Sequence, residues 1–343
     1  KGDGVLEKIR QWMGSSVPAD TIVCKGGMNA FYACFQAVND LQIPKGRNQW
    51  VSIGWLYLDT MKIMARYQRA GGQHVSFAAT ANPDDVLAYL SKEGSRIAGV
   101  VLEAPTNPML WTPDLTRISS ACRRVGAKLM VDPSLVSPAN VDVSPWCDLV
   151  PCSLTKYAAH SGDVMMGAVS VSLESGDGQF LSERVRRWVQ PPYLGDLHRL
   201  GFLLDDAHEI LDRINRNTCQ LAVFLESHPK VDTVRWAYHP ASAESFRQIA
   251  RKDHVPGGVI SIRLKDGFRR FFDNLRVSKG PSFGTRFSLA CPYLYLAHYE
   301  LVSTPGGCEL LRLQGLFPDL VRLSVGIESM DDQIEVFREA LDA

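Results

Sequence analysis

The sequence has no excess of charge of either sign and no long apolar run. Its 37 Lys and Arg residues balance 37 Asp and Glu residues, so we expect no basic surface for nucleic acid and no patch for an anionic membrane. Apolar runs such as 97–102 are far shorter than a membrane span requires. No positively charged, apolar leader opens the chain, and we therefore expect a cytoplasmic protein.

The cysteines lack the spacing of a metal site or a redox motif. Eight are scattered along the chain without a Cys-x-x-Cys pair. Several of them, such as Cys34, Cys122 and Cys219, lie within apolar runs. This pattern favours reduced thiols in a protein core over disulfides or metal ligands.

What the sequence does contain is a regular alternation of strand and helix signals. Short apolar runs predict strands at 97–103, 127–132, 149–153 and 168–173. Amphipathic helices are expected between them, and Asn82 is expected to cap the one that starts at Pro83. The alternation predicts an α/β fold, with a mostly parallel sheet covered by helices on both faces.

The alternation ends after about residue 204. Apolar residues at helical spacing predict one long helix over 205–227, and later strands are fewer, at 258–264 and 321–327. We therefore predict two domains. The large α/β domain covers 1–204, and a linking helix with a smaller α+β domain covers 205–343.

Polar clusters follow three of the predicted strands. Glu103–Pro108 ends the first, Asp132 ends the second, and Ser153–Lys156 ends the third. Ligands of parallel sheets collect at the carboxyl ends of strands, so these clusters are expected on one rim.

The residues on this rim suit pyridoxal phosphate (PLP). A lysine amine can bond to the PLP aldehyde, and a carboxylate can keep the ring nitrogen protonated. Lys156 and Asp132 suit these two roles, and the hydroxyls of Ser153 and Thr155 share one side of an extended segment. Taken singly, Lys156 is also compatible with a surface lysine and Asp132 with a turn former.

Three further features fit the same site. Gly27 and Met28 follow Gly26 at the start of a predicted helix, where backbone N–H groups can hold phosphate. Tyr57 offers a ring for stacking. Arg322 interrupts an apolar strand, and its charge needs either a substrate carboxylate or an internal Asp or Glu.

Together these segments resemble the cystathionine γ-synthase family of PLP-dependent enzymes in Cys/Met metabolism, over nearly the whole chain. The motifs that carry the resemblance are Gly-Gly-Met at 26–28, Leu-Tyr-Leu-Asp-Thr at 56–60, Glu-Ala-Pro-Thr-Asn-Pro at 103–108, Val-Asp-Pro-Ser at 131–134, Ser-Leu-Thr-Lys-Tyr at 153–157 and Val-Arg-Leu-Ser-Val-Gly-Ile-Glu at 321–328. The resemblance implies an aspartate-aminotransferase-like, fold type I architecture.

The resemblance also implies a role for each site residue. Lys156 is expected to bond to the cofactor and transfer protons. Tyr57 is expected to stack on the cofactor ring and assist the proton transfer. The cofactor-binding residues are expected to be Gly27, Met28, Tyr57, Asp132, Ser153, Thr155 and Lys156. The substrate-binding residues are expected to be Asn107, Ser282 and Arg322.

The chain departs from the family pattern at several positions. Asp59 replaces a glycine beside Tyr57 and either faces the pocket or is solvated. His160 is displaced relative to the family's histidine after the lysine. Tyr293, Tyr295 and Tyr299 add aromatic rings that could change substrate choice. The family's Tyr-x-Arg segment would precede Lys1. Either the residues before Lys1 are missing from this chain, which we expect, or the segment has been lost.

The resemblance implies γ-replacement on an O-acylated homoserine by a thiol, with cysteine giving cystathionine. Sulfhydrylation of O-acylhomoserine, β-elimination from cystathionine and γ-elimination from methionine remain alternatives, because they share the cofactor site. An aminotransferase and a non-catalytic relative are further alternatives. Small amino-acid substrates and a homodimer or homotetramer with shared active sites are expected, without nucleic-acid or membrane partners.

Overall fold

The computed structural model describes residues 2–78 and 83–343, without the side chains of residues 2 and 3. The predicted cap Asn82 lies outside the described residues. The elements up to residue 203 are α1 (Gly2–Met13), β1 (Ala19–Cys24), α2 (Gly27–Gln42), β2 (Gln49–Ile53), α3 (Leu58–Arg69), β3 (Gln73–Phe77), α4 (Asp84–Glu93), β4 (Ile97–Glu103), α5 (Leu115–Val125), β5 (Lys128–Asp132), β6 (Leu149–Ser153), β7 (Gly167–Ser172), α6 (Gly178–Trp188) and α7 (Leu194–Leu203).

The remaining elements begin with the predicted long helix, which starts two residues later than expected. They are α8 (Ala207–Ser227), β8 (Val231–Arg235), α9 (Ala243–Ile249), β9 (Val259–Leu264), α10 (Phe268–Asn274), β10 (Ser278–Lys279), β11 (Leu289–Pro292), α11 (Tyr293–Ala297), α12 (Tyr299–Val302), α13 (Pro305–Leu313), β12 (Val321–Ser324) and α14 (Met330–Asp342). Short 3-10 turns occur at 43–45, 94–96, 144–146 and 157–159.

Seven strands form the first sheet, in the order β1-β7-β6-β5-β4-β2-β3. The pairs β3–β2, β2–β4, β4–β5 and β5–β6 are parallel, and β7 is antiparallel to both of its neighbours. The prediction of a mostly parallel sheet is confirmed. Strand β4 is buried along its whole length, because helices cover both faces of the sheet.

The second sheet has five strands, in the order β10-β11-β12-β9-β8. Its pairs are antiparallel except β10–β11. Strand β12 ends at Ser324, earlier than predicted, because the N–H of Gly326 donates to Ser288 Oγ (3.0 Å) instead of continuing the ladder.

Helix α8 connects the cores of the two sheets. Its first half, with Ile210 and Ile214, packs into the core of the seven-stranded sheet. Its second half, with Leu221 and Leu225, packs into the core of the five-stranded sheet. The domain division at residue 204 falls between α7 and α8 and stays a prediction. In the described part of the chain, no helix is long and apolar enough to cross a membrane.

Candidate active site

Three neighbouring strands of the large sheet end in the polar residues that the sequence singled out. Glu103 ends β4, Asp132 ends β5 and Ser153 ends β6. Glu103 and Asp132 are directly paired in the parallel register of β4 and β5. Parallel strands place their carboxyl ends at one edge, so the fold assembles these groups at the rim.

Lys156 follows β6 and extends toward the small sheet. Its Nζ donates to Ser282 Oγ (3.2 Å) and lies 4.8 Å from the centre of the Phe283 ring. Burial, together with the positive charge of Arg322, lowers the pKa of Lys156 to about 8. No carboxylate lies within ion-pair distance of its amine among the described residues. A substantial fraction of Lys156 is therefore a neutral nucleophile near physiological pH.

Asp132 carries a buried carboxyl group without a cationic partner in the described chain. Its Oδ1 accepts a hydrogen bond from the N–H of Ser134 (2.8 Å). Burial raises the pKa of Asp132 to about 6. A buried carboxylate is costly unless a cation pairs with it, and the protonated nitrogen of a PLP ring would supply that cation.

The first turn of α2 approaches Ser153 closely. Gly26 precedes the helix and provides no side-chain cap, so the first N–H groups of α2 are open to an anion. A Cβ on Gly27 would lie 2.8 Å from Ser153 Cβ, so glycine is needed for this approach. The Met28 side chain packs against the apolar core beneath the helix. Only its backbone N–H is therefore available to a phosphate.

Thr155 differs from the expectation drawn from its position beside Ser153. Its hydroxyl donates to the carbonyl of Met166 (3.3 Å) and accepts from the N–H of the same residue (3.1 Å). A hydroxyl has one proton to donate, and here that proton is engaged. The phosphate role of Thr155 stays a prediction that competes with this bond.

The substrate end of the site centres on Arg322, which is 4% exposed. Its Nη1 donates to Asn107 Oδ1 (3.1 Å), and its Nη2 donates to the carbonyl of Pro281. Among the described residues no Asp or Glu forms an ion pair with Arg322. Since a buried guanidinium requires a counter-charge, the arrangement suits an incoming carboxylate.

Tyr57 lies at the edge of this group, immediately before α3, with 47% of its surface exposed. Its backbone N–H donates to the Glu103 carboxyl group. Burial and the neighbouring Asp132 raise the pKa of Glu103 to about 8. Asp59 pairs with Lys62 (3.1 Å) on the partly exposed side of α3, so its carboxylate is solvated and offset by a cation.

The residues fit PLP at each of its three polar ends. Lys156 would bond to the aldehyde, Asp132 would pair with the ring nitrogen, and the N-terminus of α2 with the Ser153 hydroxyl would hold the phosphate. Among the described residues the carboxyl group of Asp132 and the amine of Lys156 have no ionic partner, and α2 approaches β6 closely only because residue 27 is glycine. A bound PLP would make use of all three features. These roles of the individual residues remain predictions.

Sequence reasoning missed the supporting roles of two residues, Ser134 and His160. Ser134 orients Asp132 and also accepts a hydrogen bond from the N–H of Ser153 (2.8 Å) through its hydroxyl. The Asp-Pro-Ser order is a turn signal that would have indicated the first of these bonds. His160 is buried, and its Nε2 bonds to Asp206 Oδ1 (2.8 Å), which ties the segment after Lys156 to the start of α8.

The chain is similar to known proteins along almost its entire length. It is 38% identical to an L-2-amino-4-chloropent-4-enoate dechlorinase/desaturase of Streptantibioticus cattleyicolor, over 99% of this chain and 68% of the relative. It is 30% identical to a cystathionine gamma-synthase of Neurospora crassa, over 92% of this chain and 50% of the relative. The chain thus spans about half to two thirds of the length of these relatives.

Solved structures share the fold. A cystathionine gamma synthase from Xanthomonas oryzae pv. oryzae superposes with a TM-score of 0.82 at 23% identity, covering 98% of this chain and 84% of the other. A methionine gamma lyase from Micromonospora echinospora gives a TM-score of 0.77 at 23% identity, covering 94% and 81%. The predicted fold type I architecture is thereby confirmed.

The family profile described as Cys/Met metabolism PLP-dependent enzyme matches residues 16–342. This match covers every candidate site residue and confirms PLP as the cofactor. The chain therefore belongs to the Cys/Met metabolism family of PLP-dependent enzymes.

Proposed function

We propose that this protein uses PLP to remove a leaving group from Cγ of a small L-α-amino acid. The observation that carries the proposal is the buried, carboxylate-free Arg322 beside Asn107, in one group with the amine of Lys156 through Ser282 and Phe283. That arrangement supports a site in which Arg322 binds the α-carboxylate and the Lys156 amine lies next to Cα.

The residues divide the work between binding and proton transfer. PLP, when bound, supplies an electron sink for the charge left at Cα. Arg322 and Asn107 hold the substrate carboxylate, and Asp132 keeps the ring nitrogen protonated. Lys156, whose pKa is lowered to about 8 by burial, accepts the proton from Cα and is suited to release it again near neutral pH. Tyr57, half-exposed at the edge of this group, would stack on the cofactor ring and assist the proton transfer.

The finer reaction that we infer from the sequence is γ-replacement. An O-acylated homoserine loses its carboxylate from Cγ, cysteine forms the new S–Cγ bond, and the thiol proton is released, giving cystathionine. The 30% identity to the Neurospora crassa cystathionine gamma-synthase supports this reaction.

A second candidate is elimination of chloride from L-2-amino-4-chloropent-4-enoate. The Cγ–Cl bond breaks with both electrons on chloride, and a proton is lost from Cβ. Identity of 38% along 99% of the chain to the dechlorinase/desaturase favours it. The apolar rings of Phe283 and Tyr293 beside Arg322 also suit a substrate without a polar acyl group.

A substrate panel on the PLP-loaded protein tests the proposal. O-Acetyl- and O-succinyl-L-homoserine with cysteine would give cystathionine, and the chlorinated amino acid would release chloride. Lys156→Ala, as the control, is expected to abolish both products and the visible absorbance of bound PLP. A panel that yields only keto acids and pyridoxamine phosphate would replace the proposal with transamination.

Assembly and location belong to the same proposal. We expect a cytoplasmic homodimer or homotetramer that acts on small amino acids. All eight cysteines are free thiols and most are buried, which supports a reducing compartment. Light scattering on the eluting peak of a size-exclusion column measures the assembly, and a monomeric mass with full activity would contradict it.

A further inference from the structure

The small sheet holds a loop of the large sheet through residues that lie in one row. Ser261 on β9 and Cys291 on β11 are the register partners of Arg322 on β12. Ser261 Oγ donates to the carbonyl of Pro108 (2.7 Å), and Arg322 Nη1 donates to Asn107 Oδ1 (3.1 Å). The loop that carries Asn107 is therefore fixed from the side of the small sheet.

Tyr293 adds a third bond to this loop from the first turn of α11. It is 5% exposed, and its hydroxyl oxygen accepts a hydrogen bond from Asn107 Nδ2 (3.0 Å). The same ring has its centre 4.8 Å from the guanidinium carbon of Arg322. Tyr293 thus contacts both groups that we assign to the substrate carboxylate.

Arg322 determines which end of the Asn107 amide faces it, and Tyr293 holds the other end. An asparagine amide has an oxygen that accepts and a nitrogen that only donates. Arg322 also only donates, so the amide must present its oxygen. Among the described residues, the Tyr293 hydroxyl is the partner of Nδ2. Without that hydroxyl the amide nitrogen loses its acceptor, and within the described chain the bond to Arg322 alone holds the amide.

We propose that Tyr293 is a positioning residue that orients the Asn107 amide, and through it Arg322, as the receptor for the substrate α-carboxylate. This inference rests on the proposed function, in which Arg322 binds that carboxylate. The neighbouring tyrosines do not share the role. Tyr295 is 40% exposed and stacks on Phe268, and Tyr299 is 64% exposed.

The test compares Tyr293→Phe with Tyr295→Phe in the PLP-loaded protein. The probes are L-norvaline, which has no leaving group at Cγ, and L-norvalinamide, which lacks the carboxylate. Loss of one neutral hydrogen bond predicts a rise of about 5- to 10-fold in the Kd of L-norvaline for Tyr293→Phe. The Kd of L-norvalinamide should be unchanged, and Tyr295→Phe should change neither. Calorimetric titration measures each Kd.

A merely structural role would give a different result. If Tyr293 only supported the fold, both probes would weaken equally, and that outcome would overturn the proposal. A second test adds Tyr293→Phe to Asn107→Ala. Because Tyr293 is proposed to act through Asn107, the double variant should bind L-norvaline as weakly as Asn107→Ala alone. Additive losses would also overturn it.

The outcome separates this inference from the proposed reaction. If no Cγ substrate reacts but Tyr293→Phe weakens the acid and not the amide, the positioning role stands and the proposed reaction fails. If Cγ substrates react and Tyr293→Phe behaves like Tyr295→Phe, the reaction stands and the positioning role fails.

Discussion

Covalent attachment of PLP depends on how much of Lys156 is neutral, since only the unprotonated amine attacks an aldehyde. Burial and Arg322 lower its pKa from 10.5 to about 8. At pH 7.5 a pKa of about 8 leaves about a quarter of the amine neutral, whereas the ordinary value leaves about one part in a thousand. The structure therefore predicts a neutral, reactive fraction of Lys156 over a hundredfold larger than that of an exposed lysine at this pH.

The assay is the rate at which visible absorbance appears when PLP is mixed with cofactor-free protein between pH 6.5 and 10. We expect the rate constant to rise with pH and to level off above a midpoint near 8. Arg322→Met removes a positive charge that lowers the pKa of Lys156. Its midpoint should therefore move upward, by a few tenths of a pH unit to about one, while burial keeps it below 10.5.

Arg286→Met is the matched control, because Arg286 lies in the same segment as Ser282 but its charge does not contribute to the lowered pKa of Lys156. The control midpoint should equal that of the unaltered protein. A midpoint near 10 in the unaltered protein would refute the argument from burial. A downward movement in Arg322→Met would refute the argument from charge.

Three further outcomes are expected. Gly27→Ala should weaken PLP binding about 10-fold or more, because its Cβ would lie 2.8 Å from Ser153 Cβ. Gly26→Ala is the control and should bind PLP normally, because the space around its Cβ is open. Fluorescence titration measures each Kd, and equal Kd values for the two variants would contradict the prediction. Lys128→Ala should lower the free energy of urea unfolding by about 2 kcal/mol, because two aspartates lie within 3.1 Å of its amine. That loss should shrink in acid as Asp177 is protonated, because the hydrogen bond from Lys128 lowers the pKa of Asp177. A loss that does not change with pH would argue against this pairing. Glu103→Gln should gain stability relative to the unaltered protein, on the order of 3 to 4 kcal/mol, as pH rises from about 5 to 8. Burial raises the pKa of Glu103 to about 8 in the folded protein, so over this pH range the carboxyl group ionises more readily in the unfolded chain, and the unaltered fold loses stability. A stability difference between the two proteins that does not change with pH would disprove this.

The fold was largely predictable because its strands are buried on both faces. A strand such as β4 needs apolar residues at every position, and such runs stand out between amphipathic helices. The elements of the small domain were harder to locate. Strands β10 and β11 have two and four residues, too few to give a periodic signal, and β12 ends where a bond to Ser288 replaces the ladder.

The cofactor end of the site was also predictable, since its residues occur at strand ends in recognisable order. The substrate end was not. The sequence offered Tyr293, Tyr295 and Tyr299 as equivalent candidates, and only the contact of Tyr293 with Asn107 distinguishes them. That contact joins residues 186 positions apart in the chain, and no local pattern encodes such a distance.

The sequence by itself determined the cofactor and the architecture, because motifs and strand patterns are local properties of the chain. The tertiary structure decided the state of each group at the site. Burial lowers the pKa of Lys156 and raises that of Asp132. The packing of the small sheet against the loop after β4 leaves Arg322 without a carboxylate partner among the described residues and gives Asn107 its orientation. Burial and pairing depend on contacts between distant segments, so they exist only once the chain has folded.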